Sequence, residues 1–233
     1  MNDRTNVDTP LMEDLNVIVS GQGGDGSLTV VTLLAEVLRQ NGMRVYTERD
    51  VLSRIKGGIT AATLRASANE RFTIGSTVDL LVAFDPDAVK KRARQLDNNS
   101  IVLYDSSGGK LGADVLPANI RAIGAPLSRE AVKVFPRDIY KNSISFGFIG
   151  RILGLPDETM RLSFEKRFSR MGEQVLRYNL DALELGLKLA NEEGFEAGHG
   201  LYRLEARELG EHMLITGNEA IAFGFLVAGG RFF

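Results

Sequence analysis

The residues Gly21-Gln22-Gly23-Gly24-Asp25-Gly26-Ser27-Leu28-Thr29 carry the strongest chemical signal in the chain. Glycines at 21, 23 and 26 let a backbone turn tightly and bare its N–H groups, and Ser27 and Thr29 add hydroxyl donors. A helix starting behind such a turn favours an anion at its N-terminus. The G-x-G-x-x-G spacing is that of a dinucleotide-binding turn, and Glu48 falls where a ribose-binding acid would follow. Gly21, Gly23, Gly24, Gly26, Ser27 and Thr29 are therefore candidate phosphate contacts. The plainer reading is that the glycines only shape a turn. A Walker A loop is excluded, because no Lys-Ser/Thr pair follows at its spacing.

A second cluster is Arg54, Lys56, Gly57 and Gly58. Two cations on a glycine-bearing loop suit a carboxylate or a phosphate. The alternative is a solvated loop pairing with Glu48 or Asp50. Asn142 opens an apolar helix and is expected as its N-cap, with a contact to a neighbouring domain as the functional option. His199 and His212 are the only histidines and are expected at the surface. No catalytic residue and no metal ligand is assigned.

These residues need elements to hold them. Leu15–Ser20 reads as a buried strand and Val30–Gln40 as a helix, the opening of a βαβ unit. Met43–Thr47 is the expected second strand. Thr60–Ala68 alternates in polarity, and Arg71–Ile74 is expected to pair with it as a hairpin. Val78–Phe84 is a continuous apolar run closed by Asp85-Pro86, as in a buried parallel strand. Asp87–Leu96 reads as a helix, with strands at Ile101–Tyr104 and Ile120–Ile123. Helices follow at Asn142–Leu153, after Pro156, and over about Gly172–Glu192. The expected fold is α/β: three layers, α/β/α, around a mixed, mainly parallel sheet, with C-terminal helices.

The 233 residues are 44% apolar and 25% charged, with a formal charge of −2. That balance gives no electrostatic case for nucleic acid or an anionic membrane. The absence of cysteine removes disulfides, thiolate nucleophiles and iron–sulfur ligation from this chain and agrees with a cytoplasmic setting. The N-terminal segment is polar and mixed in charge, unlike a signal peptide, and no apolar run is long enough to span a bilayer.

The ordered series is more specific than any single motif. Gly21-Gln22-Gly23-Gly24-x-Gly26-x-x-Thr29, then Arg54-Ile55-Lys56-Gly57-Gly58, Val78–Asp85 and Tyr104-Asp105 resembles the gamma subunit or domain of 2-oxoacid:ferredoxin oxidoreductases. The resemblance continues through Asn142, Gly154-Leu155-Pro156, Phe164, Lys166, Phe168, Asn179, Ala182 and Gly186, and covers roughly residues 15–192. Thr216–Gly224 resembles the opening of the alpha, or thiamine-pyrimidine-binding, domain in the fused gamma–alpha type associated with 2-oxoglutarate.

The resemblance implies oxidative decarboxylation of a 2-oxoacid to acyl-coenzyme A, coupled to ferredoxin or flavodoxin. It implies alpha and beta partners, with thiamine diphosphate, Mg2+ and iron–sulfur clusters on other domains or subunits, none on this chain. It places an arginine where Lys56 stands, and lysine lacks the arginine fork. It also makes coenzyme A a candidate ligand of the glycine-rich turn, and Arg54, Lys56, Gly57, Gly58 and Asn142 candidates for substrate or subunit contact. The chain alone is expected to be inactive.

The expected organisation is a disordered segment at 1–13, a gamma-type domain at 14–192, and at 193–233 a linker followed by a truncated start of the alpha domain. The tail's apolar residues, Ile221 to Phe233, are expected to fold back, to pair with another copy as a homodimer, or to be disordered. Two other functions are weighed: a nucleotide- or coenzyme A-phosphate-binding module, and an NAD(P)-dependent dehydrogenase. The second lacks any evident acid–base constellation.

Overall fold

The computed structural model describes residues 11–50, 58–112, 115–117, 119–205, 207–208, 210 and 212–232. Its centre is a six-stranded sheet in the order β3-β4-β2-β5-β6-β7. The strands are β2 (Asp14–Gln22), β3 (Arg44–Asp50), β4 (Ile59–Ser67), β5 (Leu80–Ala83), β6 (Ile101–Asp105) and β7 (Arg121–Ala125). Strands β2, β5, β6 and β7 run parallel, and β4 runs antiparallel to both β2 and β3.

Alternation of side chains sends successive residues to opposite faces. Val17 and Val19 of β2 join one core with helix α1 (Ser27–Gln40), and Ile18 joins the other with helix α2 (Pro86–Arg92). The first core is much the larger. It also takes in α3 (Leu127–Val134), α4 (Lys141–Ile152), α5 (Asp157–Phe168) and α6 (Glu173–Glu192). Every residue of α4 is buried, which makes it the central helix of that layer. Its buried Arg151 is paired with Asp157, and its Nε donates to Asn191 Oδ1 at 3.0 Å.

Three expectations are corrected. Thr60–Ala68 forms a strand, but its partners are β2 and β3. Residues 71–74 form no strand, and Arg71 instead pairs with Asp14. Polarity alternation identifies a strand without naming the strand beside it. Helix α3, short and polar, was not expected at all. Residues 195–204, expected in a linker, return to the domain. Phe195 and Tyr202 are buried, and strand β8 (Arg203–Leu204) pairs in parallel with β1 (Leu11–Met12). Residues 1–10 lie outside the described set.

Helix α7 (Gly217–Val227) begins with a capping box between Thr216 and Glu219. It contains no buried residue, and Ile221, Phe223, Leu226 and Val227 face outward. No helix of the described residues is long and apolar enough to cross a membrane.

Candidate functional site

In an open α/β sheet, ligands collect at the carboxyl ends of the parallel strands, where the chain order reverses. Here the chain leaves β2 toward β3 on one side, and β5 lies on the other. The crevice between β2 and β5 therefore holds the glycine-rich turn. The turn sits as the sequence predicts, between a strand and a helix. Gly26 occupies the helix N-cap position with φ +82°, a conformation glycine takes without strain.

The turn is closely tied to its surroundings. Gly23 N–H donates to the Gly58 carbonyl at 3.2 Å. Gln22 Nε2 donates to Asp85 Oδ2 at 2.9 Å, and Asp85 also caps α2 by accepting from Asp87 N–H at 2.7 Å. Gln22 N–H donates to Asp25 Oδ2 at 2.8 Å. Lys141 Nζ, at the start of α4, donates to Asp25 Oδ1 at 3.1 Å and lies 5.7 Å from the centroid of the Phe84 ring. Ser27 is buried at the start of α1, with Thr29 half-buried two residues on.

Asn142 is not an N-cap. Tyr140 holds that position, and Asn142 lies inside the first turn of α4, 6% exposed. Its Nδ2 approaches the turn so closely that a Cβ on Gly26 would stand 2.1 Å away. Its Oδ1 is buried without a hydrogen-bond partner among the described residues. The structure thus unites Gly21–Gly26, Gly58, Lys141 and Asn142. Arg54, Lys56 and Gly57 lie outside the described residues. Sequence reasoning passed over Asp25, Asp85 and Lys141; the part-buried pairing of Asp25 with Lys141 spans 116 positions and left no local signal.

Glu48 does not meet the turn as a ribose-binding acid should. The dinucleotide pattern needs its second strand beside its first. Here β4 stands between β2 and β3, so the Glu48 strand lies two spacings, about 9–10 Å, from β2. Glu48 instead lines a separate open cleft of about 450 Å³ with Asn16, Asp50, Thr63 and Arg92. His199 and His212 are exposed, as expected. His212 Nε2 lies 3.1 Å from an Arg44 guanidinium nitrogen.

Comparison with known proteins places this arrangement. The chain is 26% identical over 177 residues to the 2-oxoglutarate synthase subunit KorC of Archaeoglobus fulgidus, covering 76% of this chain and 90% of that one. It is 27% identical over 186 residues to the ketoisovalerate oxidoreductase subunit VorA of Methanothermobacter marburgensis, covering 77% of this chain and 37% of that one. In three dimensions it matches a 2-oxoglutarate:ferredoxin oxidoreductase from Magnetococcus marinus, solved with 2-oxoglutarate, coenzyme A and succinyl-CoA bound. The TM-score is 0.82 at 26% identity, over 94% of this chain and 38% of that one. The fold is shared with a keto/oxoacid ferredoxin oxidoreductase gamma subunit from Geobacter sulfurreducens, with a TM-score of 0.64 at 21% identity over 77% of this chain and 97% of that one. The family model for pyruvate ferredoxin/flavodoxin oxidoreductase matches residues 16–189, and the chain belongs to that family.

Proposed function

We propose that this chain is the gamma-type component of a thiamine-dependent 2-oxoacid:ferredoxin or flavodoxin oxidoreductase, which converts a 2-oxoacid and coenzyme A to acyl-CoA within an assembled complex. The observation that carries this reading is the match to the Magnetococcus enzyme over 94% of the chain, a larger share than the residues 16–189 matched by the family model. The chain spans less than half of that neighbour, so decarboxylation, electron transfer and choice of oxoacid are assigned to the complex. 2-Oxoglutarate leads among substrates, because both KorC and the Magnetococcus enzyme are named for it.

This chain's own groups do not fit the family's redox cofactors. It has no cysteine for an iron–sulfur cluster, and the described residues hold no cluster of three His, Asp or Glu for a metal. Thiamine diphosphate, Mg2+ and the clusters are therefore assigned to alpha and beta partners. The gamma-type domain supplies a wall beside the catalytic centre, and Arg54, Lys56, Gly57, Gly58 and Asn142 are its candidates for contact with coenzyme A, substrate or a neighbouring subunit. The dehydrogenase reading loses its ribose acid to the β4 insertion.

Helix α7 is apolar around its whole circumference, the pattern of a helix covered on every side. It is read as the first helix of the alpha domain.

Reconstitution tests the assignment. The chain is mixed with alpha and beta partners from a related enzyme, thiamine diphosphate, Mg2+, coenzyme A, 2-oxoglutarate and a viologen acceptor. Turnover is expected only with all subunits present. Turnover by this chain alone, or none from a complex that has demonstrably assembled, overturns it.

A further inference from the structure

We propose that Asp25 is a specificity-determining residue: its carboxylate occupies the Gln22 N–H of the glycine-rich turn and the neighbouring Lys141, so that the turn rejects phosphate groups. The side chain folds back over its own turn. Oδ2 accepts from Gln22 N–H at 2.8 Å, while Asp25 N–H donates to the Gln22 carbonyl at 3.0 Å. Oδ1 takes Lys141 Nζ at 3.1 Å. The Lys141 side chain is only 8% exposed and that of Asp25 is 23% exposed, so solvent screens this contact weakly.

Two of the three fingerprint glycines, Gly21 and Gly26, are explained by internal neighbours. A Cβ on Gly21 would stand 2.8 Å from Asp25 Oδ2, so glycine at 21 makes room for the carboxylate. A Cβ on Gly26 would stand 2.1 Å from Asn142 Nδ2, so glycine at 26 makes room for the amide. Gly24 has φ +103°, which glycine alone adopts freely. Gly23 approaches Thr60 and Gly58 only at ordinary contact distance.

The surrounding charges point the same way. A phosphate entering the β2–β5 crevice would meet the carboxylates of Asp25 and Asp85, the latter held there by Gln22 Nε2. The cation beside them, Lys141, is already shared between Asp25 and Asp138, the second at 3.8 Å. The carboxylate takes Gln22 N–H and Lys141, not a helix amide, and its charge, one residue ahead of the α1 N-cap, opposes a second anion there. A ligand that reaches this edge, coenzyme A included, presents an uncharged face or a hydrogen-bond donor to the turn and keeps its phosphates elsewhere.

The test uses the whole chain with inorganic pyrophosphate and ADP as probes. Calorimetry gives the affinity, and amide NMR reports on Gln22 and Gly23. The wild-type chain is expected to leave both amides unmoved at millimolar probe. Asp25→Asn removes the charge while keeping the shape, and is expected to bind pyrophosphate at least tenfold more tightly and to shift Gln22. Movement of the wild-type Gln22 amide by pyrophosphate overturns the proposal, as does a folded Asp25→Asn chain with unchanged affinity. The wild-type measurement decides alone if the variant does not fold. Neither result depends on reconstituted turnover, so failure of the proposed function is read separately.

Discussion

Gly186 on α6 packs directly on the backbone of Ile144 on α4: a Cβ at 186 would fall 2.0 Å from the Ile144 carbonyl oxygen. The contact is reciprocal, since a Cβ on Gly147 would stand 2.4 Å from the Leu183 carbonyl oxygen. Two glycines, one on each helix, therefore set the separation of the central helix pair. Backbone cannot give way as a flexible side chain can. Gly186→Ala is expected to cost more than about 2 kcal/mol through overpacking. For a chain of this size that lowers Tm by at least roughly 4–8 °C. Differential scanning calorimetry checks it, and a Tm within a degree of wild type contradicts the packing.

The same helix pair holds a buried polar bond. Ser143 Oγ donates to Asn179 Oδ1 at 2.7 Å, and Asn179 Nδ2 donates to the Val175 carbonyl at 2.8 Å. Asn179→Ala leaves the Ser143 hydroxyl buried without that acceptor, and is expected to cost about 1–3 kcal/mol in urea unfolding. The double change Asn179→Ala with Ser143→Ala removes both partners, and is expected to recover part of the loss. If the double variant is as unstable as the sum of the two singles, the bond contributes nothing.

Much of this layout is readable from local sequence. Leu15–Ser20, the glycine turn and Val30–Gln40 each carry their own period, and the structure keeps all three. What local pattern misses is partnership. The β4 alternation does not say that β4 inserts between β2 and β3, yet that insertion is what removes Glu48 from the turn. Strands β1 and β8 are two residues each and exist only because their segments meet. The site shows the same division. The turn's glycines are visible at once, but their reason is not, because Lys141 and Asn142 arrive from a helix more than a hundred residues later. Asn142 reads from sequence as a helix cap, but its neighbour in the fold is Gly26, not its own helix end.

Helix α7 makes a prediction about association. Its exposed Ile221, Leu226 and Val227, with Phe232 beyond it, present apolar surface without cover among the described residues. Such a patch drives contact with another molecule. A chain ended after Gly210 is expected to sediment as a monomer, whereas the full chain is expected to self-associate as concentration rises. Equal masses for the two across that range contradict pairing through the tail.

The alkaline limb of stability follows from Tyr202. Its hydroxyl donates to the Asp79 carbonyl at 3.1 Å, tying the C-terminal strap to the start of β5. Burial, and next the nearby Asp79 charge, push its pKa well above the ordinary tyrosine value. An unfolded tyrosine titrates near about 10. The native pKa is raised, so the bond contributes fully below that pH and its contribution is lost as pH rises toward the native value. Between about pH 10 and 12 the unfolded chain sheds this proton while the folded chain keeps it, and stability falls. Tyr202→Phe is expected to cost roughly 0.5–1.5 kcal/mol at pH 8. The low end is favoured because the Asp79 carbonyl also accepts from Ile101 N–H at 2.8 Å. Above pH 10 the variant is expected to lose stability less steeply, so the two urea-unfolding curves converge. Tyr140, also raised by burial first and then by Tyr178, stays in both proteins and leaves a shared residual slope. Parallel pH profiles for wild type and Tyr202→Phe would show that the hydroxyl stays exposed to solvent and that the strap is held by packing alone.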